Sequence, residues 1–147
     1  MQLSDAQIVM AMAGSFVLLW LSVSMLSAKL GAWSKLSNSY AAYGLPTGKM
    51  FRFRSARLGK VNYNNALNVQ VSSRGLYLVP IILFRFGHPP ILIPWRDIRL
   101  KEKKAIFGTN TVLRIGKPEI VTLRFAGGFM ERSGIRQYSN RYDATDE

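Results

Sequence analysis

From Ala6 to Ala28 the chain runs 23 residues, AQIVMAMAGSFVLLWLSVSMLSA, without a charged side chain. No other stretch limits the possible folds so tightly. At 1.5 Å per residue a helix of this length reaches about 34 Å, enough for a hydrocarbon core of about 30 Å. A single small domain has little room to bury a helix that is apolar on every side. Residues 6–28 therefore read as a transmembrane helix. A secretory signal would open with Lys or Arg, whereas Asp5 is the only charge ahead of the span and Leu26-Ser27-Ala28 is a poor cleavage site, so a retained anchor is expected. Lys29, Lys35 and Lys49 follow the span. Cations stay on the cytoplasmic side, which predicts an N-terminus outside and a cytoplasmic C-terminal domain. Lys29, Trp33 and Lys35 are expected to anchor the chain in the headgroup layer, with Trp20 lying mid-span.

From Leu26 into residues 29–48, Leu26, Leu30, Trp33, Leu36, Tyr40 and Tyr43 fall at spacings of three and four, an apolar stripe at helical period. An amphipathic juxtamembrane helix is expected, with a break at Gly31 and a stop at Gly44-Leu45-Pro46-Thr47-Gly48. The stripe either packs on the following domain or lies in the interface with Lys29 and Lys35 on headgroups.

Residues 49–138 read as one small β domain. Met50-Phe51-Arg52-Phe53-Arg54 alternates, which predicts Phe51 and Phe53 inside and Arg52 and Arg54 outside. Asn62–Asn65 reads as a turn, Leu67, Val69 and Val71 as one strand face, and Ser72–Gly75 as a hairpin turn. The apolar runs 76–84 and 91–95 are joined by Arg85-Phe86-Gly87-His88-Pro89-Pro90, predicting a strand, a long turn and a returning strand. Ile98 and Leu100, then Leu113 and Ile115, then Val121, Leu123 and Phe125 continue the alternation, with turns at Gly108-Thr109-Asn110 and Gly116-Lys117-Pro118. About seven short strands at this spacing indicate a mainly β (α+β) chain with a small antiparallel barrel or sandwich. Residues 129–138 are expected to form a weak helix over Phe129, Met130 and Ile135, and 139–147 a flexible tail.

The blocks Gly75-Leu76-Tyr77-Leu78, Gly87-His88-Pro89-Pro90 and Ile93-Pro94-Trp95-Arg96-Asp97-Ile98 resemble a group of small bacterial membrane proteins, over residues 33–125. In that group the same blocks follow a Trp-containing N-terminal helix. More loosely, the GLYL strand followed by the I-P-W-x-D-I strand is similar to bacterial pleckstrin-homology-like (PH-like) and GRAM-like domains. That resemblance implies a bent seven-stranded sheet closed by a C-terminal helix, and binding rather than catalysis; fold alone does not fix function. The glycine-rich stretch 126–134 departs from it at the closing helix.

Nothing in the residues suggests catalysis. There is no cysteine, which removes disulfides, thiolate chemistry and zinc–thiolate sites. His88, the only histidine, sits in a turn, where it reads as a polar cap. Asp97, Glu102, Glu119 and Glu131 form no paired or metal-spaced motif, and GxGxxG, P-loop and GxSxG patterns are absent. No enzyme, metal or cofactor is expected.

Binding has two candidate surfaces. Lys plus Arg total 20 against 8 Asp plus Glu, and every cation lies at or after Lys29. Lys49, Arg52, Arg54, Arg57 and Lys60, with Arg99, Lys101, Lys103 and Lys104, offer a basic face for anionic lipid headgroups, each cation near such a surface contributing about 1 kcal/mol. Nucleic acid is an unlikely partner, because the aromatics alternate inward and leave no stacking platform. The second surface is the tip from Pro80 to Pro90, where Ile81, Ile82, Leu83, Phe84 and Phe86 come without polar alternation. They are buried on the domain, docked on the juxtamembrane helix, dipped into the bilayer or covered by a partner. The expectation is a non-catalytic single-pass protein whose domain binds anionic lipid or a protein. The alternative is an accessory or assembly subunit of a larger membrane complex, since Ala11, Ala13, Gly14 and Ser15 allow close helix approach to an unknown membrane protein partner.

Overall fold

The computed structural model describes residues 2–30, 32–44, 47–106, 108–126 and 128–143. Helix α1, Asp5–Leu30, contains the whole uncharged stretch and is long and apolar enough to cross a membrane. A reciprocal cap starts it: the Gln7 amide donates to Ser4 Oγ and the Ser4 amide to Gln7 Oε1. The hydroxyls of Ser15, Ser22 and Ser27 donate to the carbonyl four residues back, at 2.8 Å each, so they need no water along the apolar helix.

Gly31, the expected break, lies outside the described residues. Its neighbour Ala32 takes a left-handed φ of 61° and turns the chain into α2, Trp33–Tyr40. Trp33 and Leu36 are fully buried and Tyr40 packs against the core, so the middle of the stripe faces the domain, whereas Leu26 and Tyr43 at its ends are exposed. Beyond α2, Ala41 bridges Ile91 and the Ala42 amide donates to the Pro90 carbonyl at 3.0 Å. Leu45 and Pro46 of the expected stop lie outside the described residues.

Seven strands follow: β1 Lys49–Leu58, β2 Val61–Val71, β3 Gly75–Pro80, β4 Ile91–Pro94, β5 Ile98–Ala105, β6 Gly108–Ile115 and β7 Val121–Phe125. They form one antiparallel sheet in the order β4-β3-β2-β1-β7-β6-β5. The expected seven strands and α+β class are present. The closed barrel is not: β4 and β5 are the two edges of an open sheet. Between them the chain makes a 3-10 turn at Trp95–Asp97, and the buried Trp95 ring fills the seam, stacked on Tyr138 at 5.1 Å with its indole N–H donating to the Ser72 carbonyl.

Several local expectations change. The β1–β2 turn is Gly59-Lys60, not 62–65, which lies inside β2; Asn65 does take φ 51°, but at a bulge, its amide bonded to Ser55 Oγ. β1 carries a second bulge between Phe51 and Arg54. Phe53 there has φ 53° and is 62% exposed, whereas Arg54 turns inward over the Phe51 and Phe129 rings. The extra residue reverses the alternation, so Ala56 and Leu58 are buried and Arg57 is exposed. The 76–84 run stops pairing at Pro80, which lacks the amide to continue, and Ile82–Phe84 form a 3-10 turn. β5 continues to Ala105, paired with Gly108, so 108–110 lie in strand β6 and not in a turn.

At the C-terminus two helices, α3 Phe129–Ser133 and α4 Ile135–Asp143, replace the single expected one, divided by Gly134 at φ 79°. Phe129 packs on Phe51 and Phe125, and Ile135 is fully buried. Helix α4 takes in residues 139–143 of the expected tail, with Ser139 fully buried; residues 144–147 lie outside the described residues.

Candidate functional site

The connection from Pro80 to Pro90 docks lengthwise along α1 and the start of α2. Three side chains reach three of its carbonyls at even spacing: Trp20 Nε1 donates to Leu83, Ser24 Oγ to Phe86 and Trp33 Nε1 to Pro89, each at 2.9 Å. The Trp20 ring lies 4.9 Å from Phe84. Gly87 takes a left-handed φ of 77° beside α1, where an added Cβ would meet the Met25 Cα at 3.5 Å, so the backbone conformation rather than space favours glycine there. Trp20, Ser24 and Ala28 follow at i, i+4 and i+8, and this spacing is the sequence signal that would have found the docking face.

Below the loop sits a buried aromatic cluster. His88 is fully buried, with Trp33 edge-on at 5.2 Å and Tyr63 at 5.6 Å. Its Nδ1 faces the Phe86 carbonyl at 3.2 Å, an acceptor only, so Nδ1 carries the proton. Its Nε2 then accepts from the Tyr63 hydroxyl at 3.0 Å. Burial lowers the imidazole below its ordinary 6.5, against the pull of the neighbouring carbonyls, and raises the Tyr63 phenol. Both ring nitrogens are engaged within the protein, so His88 is a structural clasp rather than a general base.

The Trp33 expectation is corrected here: its indole is buried inside this cluster by Pro89, Tyr63 and His88, so it presents no surface to headgroups. Lys29 and Lys35 are exposed. Of the loop's apolar residues, Ile81 and Phe84 pack against the core, whereas Ile82, Leu83 and Phe86 are 78%, 61% and 51% exposed.

The basic residues do not make one face. Arg52 lines a cleft of about 400 Å³ with Asn68, Tyr77 and Arg85. Lys49 lies over the Phe51 ring. Arg54 leaves the outer face altogether, because the bulge turns it inward. Arg57 is exposed and pairs directly across from Arg124 of β7, which the sequence reading placed outside without counting it as a site. Two shallow clefts, of about 250 and 310 Å³, flank this arginine pair, and the exposed Lys60 follows in the β1–β2 turn. Arg99 reaches the Gly116 carbonyl, and Lys101, Lys103 and Lys104 are exposed along β5.

The carboxylates near these strands already have partners. Glu119 pairs with Arg114, Glu102 with Arg136, and Asp97 accepts from Tyr40 at 2.8 Å and lies 3.9 Å from Arg96. Among the described residues, none pairs with Arg52, Arg57, Lys60, Lys101, Lys103 or Arg124. Nor does any group of three or more metal-ligating side chains among them suit an ion.

No family model, curated protein or solved structure matches this chain.

Proposed function

We propose that this is a non-catalytic, single-pass membrane protein whose basic domain binds anionic lipid headgroups at the foot of its own anchor. One observation carries the reading. Among the described residues no carboxylate pairs with Arg57, Arg124 or Lys60; Arg57 faces Arg124 across the β1–β7 pair, and Lys60 lies in the adjoining β1–β2 turn. Lys60 is three residues from Tyr63, whose hydroxyl approaches both His88 and, at 3.4 Å, the Ser27 carbonyl of α1. Charges near the foot of a membrane helix gain from anionic lipid within a Debye length. Lys29 and Lys35 add to the same layer. We assign the sheet to the PH-like class on the GLYL and I-P-W-x-D-I resemblance, and the domain to the cytoplasmic side on the cations that follow α1.

The rival reading, an accessory subunit of a larger complex, draws on the outer half of α1. Ala11, Gly14 and Ser15 are exposed there, and nothing lies within 4 Å of a Cβ added at Gly14. The deciding experiment is extraction of the tagged full-length protein in mild detergent, followed by native mass spectrometry. Anionic lipid retained by the lone protein, and lost in Arg57→Ala/Arg124→Ala, supports headgroup binding. Equal retention of zwitterionic lipid, or of anionic lipid by the double variant, rejects it. A fixed set of co-purifying membrane proteins favours the subunit reading.

A further inference from the structure

We infer that the Ile82–Phe86 tip is itself inserted in the bilayer, packed against α1 and presenting Ile82, Leu83 and Phe86 to acyl chains. The inference rests on α1 spanning the membrane, and it is independent of headgroup charge.

The argument is one of depth. The uncharged stretch is Ala6–Ala28. If the hydrocarbon stopped short of Trp20, only Ala6–Leu19 would remain, about 21 Å of helix against a core of about 30 Å. The level of Trp20 therefore lies within the hydrocarbon. The Trp20 indole is hydrogen-bonded to the Leu83 carbonyl, Ser24 is bonded to Phe86, and Gly87 lies beside Met25. The tip is fixed at those levels by direct contact. From Trp20 to Lys29, the first cation, the helix rises about 14 Å.

The loop's own chemistry fits that depth. Irregular backbone is tolerated in hydrocarbon only where its polar groups are satisfied by protein. Every carbonyl from Pro80 to Leu83 accepts a hydrogen bond, from Arg85 Nε, the Phe84 amide, the Arg85 amide and Trp20 in turn, and those of Arg85 and Phe86 are satisfied as well. The apolar side chains of Ile82, Leu83 and Phe86 are left uncovered at the tip; its one cation, Arg85, is exposed too, but turns its Nε back to the Pro80 carbonyl at the end of β3. A large exposed apolar group beside a membrane helix has lipid as its ready cover, and no second chain is required.

The chain has no cysteine, so a single introduced thiol is unique. Ile82→Cys, Leu83→Cys, Val23→Cys and Lys103→Cys, all at exposed positions, are labelled with a nitroxide and reconstituted in zwitterionic nanodiscs. Collision with oxygen is compared with collision with a water-soluble nickel chelate. The oxygen-to-nickel ratio at 82 and 83 is expected to match that at Val23 and to exceed that at Lys103 several-fold. A ratio at 82 and 83 equal to that at Lys103, while Val23 stays high, overturns the insertion and leaves the anchor intact. A low ratio at Val23 as well overturns both. Low collision with both reagents at 82 and 83 means protein covers the tip, and also rejects the inference.

Discussion

His88 shows how much one side chain couples in this molecule. Its ring joins the loop to Tyr63 of β2 and to Trp33 of α2, and burial keeps it neutral. An unfolded chain takes up a proton below about pH 6.5 that the folded chain refuses. The stability tied to neutral His88 is therefore fully present above pH 6.5 and is lost as the pH falls through the lowered folded value, at up to about 1.4 kcal/mol per pH unit. Melting of the full-length protein in detergent should fall between pH 7.5 and 5. In His88→Gln, which keeps a donor and an acceptor but cannot titrate, that slope should flatten while the melting point at pH 7.5 drops by the equivalent of about 1–3 kcal/mol. An unchanged slope would place the pH response elsewhere. Tyr40 offers a second reading at this scale. Burial first, and then the Asp97 carboxylate it donates to, push its phenol up to about 12, so it remains a donor at any working pH. Tyr40→Phe should cost about 1.5–3 kcal/mol, the ordinary value of a hydrogen bond to a charged acceptor, read as a lower melting temperature.

Strand β1 is where residue chemistry becomes element geometry. Ten residues with Phe51 inside and Leu58 inside cannot alternate without an extra residue, and Phe53 is that residue. The parity conflict was present in the sequence, since Arg52 and Arg57 cannot share a face of a regular strand, but Phe53 was read as core because aromatics usually are. The inner faces named for β5, β6 and β7 were legible, because Ile98, Leu113, Ile115, Val121, Leu123 and Phe125 are indeed buried, with the clean alternation confined to β7. The seam, the loop docking and the second C-terminal helix were not: they depend on contacts between residues far apart in the chain, such as Trp95 with Tyr138 and Trp20 with Leu83. The bulge makes an uneven prediction for two neighbouring phenylalanines. Phe51→Ala should destabilise by about 2–3 kcal/mol through lost packing of this partly buried ring on Phe129. Phe53→Gly should hold or raise stability by about 1 kcal/mol, because the left-handed φ is strained for Phe and free for glycine. Thermal unfolding of the two variants side by side decides it; equal losses would mean both rings face the core.

At the scale of the whole molecule, anchor and domain are one packed unit rather than a domain on a string. A flexible tether would let the domain sample the membrane surface in many poses. Here Trp20, Ser24 and Trp33 fix one pose, and on the proposed reading they thereby set the height of the arginine pair and the depth of the loop tip. The two halves of α1 should therefore respond differently to replacement. Substituting residues 6–19 with leucine keeps a span and touches none of the docking bonds, so hydrogen exchange in residues 81–90 should be unchanged. Substituting Trp20, Ser24 and Ala28 with leucine keeps an equally apolar span but removes two of the three carbonyl donors and crowds the Gly87 approach. Exchange across 81–90 should then rise at least tenfold, the effect of losing about 1.4 kcal/mol of local stability. Anionic-lipid retention should fall with it, because cations no longer held at a fixed height lose part of their common field at the headgroups. If exchange rises while retention is unchanged, headgroup binding does not depend on the rigid pose, and the docked loop serves membrane insertion alone.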